Sequence, residues 1–267
     1  MRDTVMEYET SKVLKFAREG KRVDGRALDE MREITIETGM SENAEGSTIV
    51  TLGKTKIIAG LKVDIGKPYP DNQDEGSISI GAETLPLAHP DYESGRPSAD
   101  EVELARVVDR GLRESKAIDF KKLCITKGEA VWVGFLDFYA LNGDGNLFDA
   151  GSIAALVTFN NAKLPKLDKE GKIILHEYDG KIKLARQPLL TTFAKVGGKI
   201  MLDPTYLEEK ASDARYSAAT TDDGFISAMQ KGVGGSFTLE EVDYMIDKAF
   251  EIGDKIIFRE GRTKGVG

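Results

Sequence analysis

The chain has 267 residues, 40% hydrophobic and 31% charged, with a net charge of −8. At about 150 residues per domain this is roughly two domains or two joined halves, long enough to bury a core without a disulfide or metal staple. The acidic balance excludes a protein held on nucleic acid by bulk positive charge, though not one with a local basic site.

Residues 4–19 read as a helix, with Val13, Leu14, Phe16 and Ala17 as an apolar patch and Gly20 as its stop. A helix of this length is marginal alone and has to dock. From residue 31 the apolar period switches to two, with Ile34 and Ile36 between polar neighbours. Residues 47–52 and 56–62 flank Gly53-Lys54-Thr55, a hairpin signal. A polar loop follows over 66–76, then a strand at 77–80 and a proline-containing loop at 86–97.

Ser98-Ala-Asp-Glu101 spells a capping box, with a helix running to about residue 116. Leu104, Val107, Val108 and Leu112 form its apolar stripe, and Arg106, Arg110 and Arg113 a separate basic one. A short strand at 123–125 contains Cys124, read as buried filler. In the next strand Val131, Val133, Phe135, Asp137, Tyr139 and Leu141 share one face, and Trp132, Leu136, Phe138 and Ala140 the other. Both faces are largely apolar, so this strand is expected to be central. A helix rich in small residues follows from about 149 to 161.

Residues 164–187 form a charged connector with short strands. A second hairpin, 192–196 and 199–203, turns on Gly197-Gly198, and a third, 215–220 and 225–230, on Asp222-Asp223-Gly224. Thr238-Leu-Glu-Glu241 is a second capping box. Its helix runs to about 258 with Val242, Met245, Ile246, Ala249 and Ile252 facing inward, and the tail 261–267 frays. The pattern is α+β, with mixed and antiparallel β-sheets packed with α-helices rather than a βαβαβ dinucleotide fold. The expected division is a helical arm over 1–30, a first domain over 31–165, a connector over 166–190 and a C-terminal domain over 191–260.

No Gly-x-Gly-x-x-Gly or Walker motif is present, and no stretch approaches the ~18 apolar residues of a membrane span. His89 and His176 lie far apart, without a nucleophile motif or metal-ligand spacing, so neither a triad nor a metal or other cofactor is expected. Cys124 is the one cysteine, so no intrachain disulfide can form, and a reducing cytoplasmic setting is expected.

Three segments need an explanation. Arg22-Val-Asp-Gly-Arg26, with Arg32 and then Ala44-Glu-Gly-Ser47, reads on composition as a solvated turn before a hairpin. Residues 103–115 (ELARVVDRGLRES) read on charge as a surface face, with Glu103, Asp109 and Glu114 pairing against the arginines. Residues 202–215 (LDPTYLEEKASDAR) read as an acidic loop. Taken together, in order and spacing from about residue 10 to 258, these segments resemble the RNase PH family. Within it, residues 103–115 and 142–156 (NGDGNLFDAGSIAAL) are similar to the non-catalytic RNase PH-like ring subunit of the archaeal exosome.

The resemblance implies an RNase PH-like fold and a part in phosphorolytic 3′-to-5′ RNA degradation. The implied role is non-catalytic: to help bind single-stranded RNA and to structure the active site of a catalytic RNase PH-like partner. Three such heterodimers form a hexameric ring, which also takes RNA-binding cap subunits. The competing expectation is an active phosphate-dependent exoribonuclease working as a homo-oligomer.

Catalytic members of the family carry a Gly-Gly-[Ser/Thr]-Arg turn that cradles phosphate. Here Leu147 and Phe148 stand where a hydroxyl and an arginine would be, and Asp149 is expected to repel an anion. Catalytic members also present two aspartates six apart, positions that fall on Glu209 and Arg215 of this chain. The arginine helix is intact. Arg106 and Arg110, one turn apart, are the expected RNA contacts, with Arg113 as a third on the same stripe. Arg96 reads as an exposed loop charge.

Overall fold

The computed structural model describes residues 2–256. The expected end of the last helix near 258 and the fraying tail at 261–267 lie outside the described residues.

Helix α1 (Arg2–Arg18) docks as its apolar patch requires: Val13 and Ala17 are buried against Ala194, Val196 and Met201. The first sheet contains β1 (Ile34–Thr38), β2 (Gly46–Leu52), β3 (Thr55–Gly66), β4 (Ser77–Thr84), β5 (Cys124–Thr126) and β6 (Ala130–Asn142). Its order is β1-β2-β3-β6-β4, with β5 paired on β6. The β2–β3 hairpin turns at Gly53, whose φ of +58° is open to a residue without a side chain. All pairs are antiparallel except β4 with β6. A parallel pair needs a crossover, and α2 (Ala99–Glu114) lies within it.

Helix α3 (Leu147–Asn161) leads to the hairpin β7 (Lys163–Leu167) and β8 (Ile173–Lys181), which forms the charged connector. A second, all-antiparallel sheet follows: β9 (Leu189–Val196), β10 (Lys199–Leu202), β11 (Ala214–Thr220) and β12 (Ile226–Gly232), in the order β10-β9-β11-β12. A short helix, α4 (Tyr206–Lys210), sits between β10 and β11, and α5 (Leu239–Ile256) closes the second sheet. Met245, Ala249 and Ile252 are buried on that sheet, with Val242 and Ile246 packed beside them. Thr238 and Glu241 exchange the two bonds of the second capping box.

Helices α2 and α3 lie between the sheets. α3 packs on β2 and β3 of one and β9 of the other, while α2 meets β4 and β12. This is why α3 is built from small and apolar residues with no polar face: Phe148 through Phe159 are all buried.

Two sequence expectations need correction. Strand β6 is central as expected, flanked by β3 and β4, but the face that carries Val131 is covered only near its start. Val131 is buried, whereas Phe135, Tyr139 and Leu141 further along are exposed, because α2 and α3 pack on the opposite face. Cys124 is half-buried rather than buried, since β5 is a three-residue strand at the margin of the sheet.

Candidate functional site

The Arg22–Arg32 segment is an exposed turn, as its composition reads, but the side chains of Arg22, Arg26 and Arg32 leave it for a buried ion-pair hub. At its centre is Asp203, just after β10, with φ +50° and no exposure. Arg32 grips it with Nε to Oδ2 at 2.8 Å and Nη2 to Oδ1 at 2.7 Å. Arg26 adds Nη1 to Oδ2 at 3.0 Å, and Asn146 adds Nδ2 to Oδ1 at 2.7 Å. Arg22 donates to both carboxylate oxygens of Glu208, at 2.8 and 2.5 Å, and to the carbonyls of Leu202 and Asp203. Burial alone would raise the Asp203 carboxyl, but the hydrogen bonds and charge of Arg32 outweigh it and hold the group below the usual carboxylate range. These arginines therefore tie the arm to the second sheet.

The positions that depart from the catalytic pattern converge on one cavity of about 640 Å³. Leu147 and Phe148 reach it from the first turn of α3, Glu209 from α4 and Arg215 from β11. The N-terminus of a helix is a ready anion site. Here the N–H of Asn146, the left-handed N-cap of α3, donates to Glu209 Oε1 at 2.8 Å. The chain's own carboxylate thus takes a donor that would otherwise face an anion. The Arg215 guanidinium lies 4.2 Å over the Phe148 ring, and its Nη2 is 2.7 Å from Glu103 Oε1. Asp91, Glu93, Asp100 and Glu101 also line the cavity, against Arg96 and Lys210, so acids outnumber bases.

Asp149 does not face this space. It points into the interior, where its Oδ2 accepts from Asn146 Nδ2 at 2.8 Å and from the Thr192 N–H at 3.1 Å. It therefore orders the N-cap instead of repelling a bound anion. Burial pushes the Asp149 and Glu209 carboxyls up to about 7.

Helix α2 begins as its sequence spells: Ser98 accepts from the Glu101 N–H and Glu101 accepts from the Ser98 N–H. That fixes Leu104, Val107, Val108 and Leu112 inward and leaves all three stripe arginines exposed. A groove of about 460 Å³ runs past Val102, Glu103, Arg106, Arg110 and Gln230. Among the described residues no hydrogen bond or ion pair engages Arg106. Arg110 donates from Nη2 to Gln230 Oε1 at 2.6 Å. Arg113 is set apart. It binds both oxygens of Asp109 and the Ile78 carbonyl, and its guanidinium lies over Phe120. Of the acids expected to neutralise the stripe, Asp109 pairs with Arg113, whereas Glu103, in the groove wall, pairs with Arg215 rather than with a stripe arginine.

Sequence reasoning missed α4 and Gln230. The Thr205-x-x-Glu208 capping box of α4 was spelled in the segment read as a loop. Nothing local singled out Gln230. Among the described residues there is no group of three or more His, Cys, Asp or Glu able to hold a metal, and no helix long and apolar enough to cross a membrane.

Residues 30–165 match domain 1 of the 3′ exoribonuclease family, RNase PH, and residues 187–252 match domain 2. The chain belongs to that family. It is 46% identical over 249 residues to the exosome complex component Rrp42 of Thermococcus gammatolerans, covering 92% of this chain and 91% of that protein. To the Rrp42 of Thermoplasma acidophilum it is 40% identical over 254 residues, covering 95% of each. Among solved structures, a chain of the Archaeoglobus fulgidus exosome with RNA bound to the active site superposes with a TM-score of 0.89. The identity is 38%, with 94% of this chain and 97% of that one covered.

Proposed function

We propose that this chain is a non-catalytic subunit of an archaeal-type exosome that degrades RNA from the 3′ end. In this role it helps to bind single-stranded RNA and structures the active site of a catalytic RNase PH-like partner. Three such pairs form the ring, RNA-binding caps join it, and the complex works in the cytoplasm. The observation that supports the non-catalytic reading is the lining of the cavity. Phosphorolysis requires a free phosphate held beside the terminal phosphodiester, with donors aimed at the developing charge. At the start of α3 the Asn146 N–H is taken by Glu209, and Leu147 and Phe148 offer no side-chain donor. Arg215, a cation, stands at the acid position and is engaged by Glu103 and Phe148.

RNA meets the chain along α2. Arg106 and Arg110 lie one turn apart on the groove, about 6 Å along the helix, close to the spacing of adjacent phosphates. Arg113 supports them by holding α2 to β4 through the Ile78 carbonyl.

The test is nucleoside diphosphate release from oligo(A) with phosphate and Mg²⁺. The purified chain alone is expected to release none, and adding the catalytic partner is expected to start release. Phosphate-dependent shortening by the isolated chain would establish the homo-oligomeric enzyme instead.

A further inference from the structure

We propose that Arg215 is a positioning residue for RNA, keeping the α2 groove basic by pairing with the carboxylate of Glu103, a residue of the groove wall, and so holding it off Arg106. The proposal rests on the reading of Arg106 and Arg110 as RNA contacts. Arg215 does not line the groove itself.

Glu103 precedes Arg106 by three residues on α2, a spacing at which a carboxylate and a guanidinium pair readily. Such a pair would neutralise the one stripe arginine that no described group engages. Glu103 instead binds Arg215, at 2.7 Å, across the boundary between α2 and the second sheet. Three features hold Arg215 there. Its guanidinium is stacked on Phe148, its side chain is 14% exposed, and its cross-strand neighbour in β12 is Gly232. A Cβ on Gly232 would fall 2.5 Å from Arg215 Nη2, so only glycine leaves the guanidinium its place.

The same carboxylate oxygen accepts from Gln230 Nε2 at 2.9 Å. A carboxylate can only accept, so it fixes which end of the Gln230 amide faces it. The amide oxygen is then left for Arg110, which binds it at 2.6 Å. Gln230 lies two residues before Gly232 on β12, on the same face of the strand as the Arg215 cross-strand position. One chain of contacts therefore runs Arg215–Glu103–Gln230–Arg110. It leaves Arg106 unpaired among the described residues and ties Arg110 to the Gln230 amide oxygen.

The experiment measures binding of fluorescent single-stranded oligo(A) to the complex with the catalytic partner, with melting temperature read on the same preparations. Arg215→Met is expected to weaken binding about three- to tenfold, because Glu103 is released onto Arg106. Adding Glu103→Gln to that variant is expected to restore binding to within about twofold, since a neutral amide cannot neutralise the groove. A merely structural role for Arg215 would not be rescued this way, so a loss that Glu103→Gln leaves in place overturns the proposal. Gln230→Met removes both amide bonds without touching the inner cation. It is expected to cost about threefold, and unchanged affinity in this variant overturns the role of the Gln230–Arg110 bond even where Arg215→Met fails to assemble. Charge reversal of Arg106 and Arg110 is the control. If it leaves affinity unchanged, the RNA reading itself fails; if it weakens binding while Arg215→Met does not, only the positioning role fails.

Discussion

Two parallel hydrogen bonds join Arg32 to Asp203 across 171 residues of sequence, and neither side chain is more than 8% exposed. Paired, hydrogen-bonded charges are tolerated inside a protein, whereas one left alone is not. Asp203→Asn keeps the size of the side chain but removes the buried counter-charge that Arg26 and Arg32 share, leaving them the more exposed Asp24 and Asp144. It is expected to destabilise the chain by about 3–5 kcal/mol, read as a lowered urea midpoint. An unchanged midpoint would show that the hub contributes no stability.

The carboxyls also set a pH dependence with two opposite signs. Glu209 and Asp149 are raised to about 7 by burial, so between about pH 4 and 7 the folded chain holds more protons than the unfolded one. Their contribution to stability is present at the acid end of that window and is lost as pH rises through it. Asp203 is lowered, so its contribution is present above the ordinary carboxylate range and is lost as pH falls below it. Urea midpoints should therefore decline from about pH 4 to 7 and decline again in stronger acid. Glu209→Gln is expected to flatten the upper decline, and an identical slope in that variant would assign the decline to other groups.

Charge reversal of Arg106 and Arg110 together should leave the melting temperature and assembly with the partner intact, because neither side chain is buried. For single-stranded RNA each lost phosphate contact removes about 0.7 from the slope of log affinity against log salt, so the pair should lower it by about 1.4. A salt titration of oligo(A) binding decides the matter. An unaltered slope would mean that RNA does not touch this face of α2.

The elements that sequence placed well are those specified locally. The Ser98–Glu101 capping box starts α2 and turns its arginines outward, and paired glycines at 197–198 turn the β9–β10 hairpin. The cavity was legible through resemblance, since Leu147, Phe148, Glu209 and Arg215 were named by position before the structure joined them. The hub was not, because no window of sequence contains both Arg32 and Asp203. The inward turn of Asp149 was hidden for the same reason: its partner Thr192 lies on the other sheet. The apolar alternation of β6 overstated its burial, since periodicity shows which residues share a face but not what covers it. Arg113 shares the spacing of its neighbours on α2. Only the approach of β4, with the Ile78 carbonyl, separates it from them.

Gly145 is expected to be intolerant of a side chain. Its φ is +78°, and a Cβ there would meet the backbone of Thr205 and Tyr206 at 2.4 Å. Gly145→Ala should lower stability by about 3 kcal/mol or more, and it should loosen the α3 N-cap against α4. Thermal melting checks the first effect, and hydrogen exchange at the Asn146 amide checks the second. Wild-type protection there would show that the turn adapts.

The position of Asp203 in the chain also sets an order of events during synthesis. Arg26 and Arg32 leave the ribosome long before the aspartate that both bind, with 177 and 171 residues separating them from it. The first sheet is by then fully translated, yet two cations beside it still lack the buried anion they share, with only Asp24 and Asp144 at hand. Closing so long a segment costs entropy that only the finished contact returns. The nascent amino-terminal half must therefore wait, incompletely locked, until translation has passed the β9–β10 hairpin.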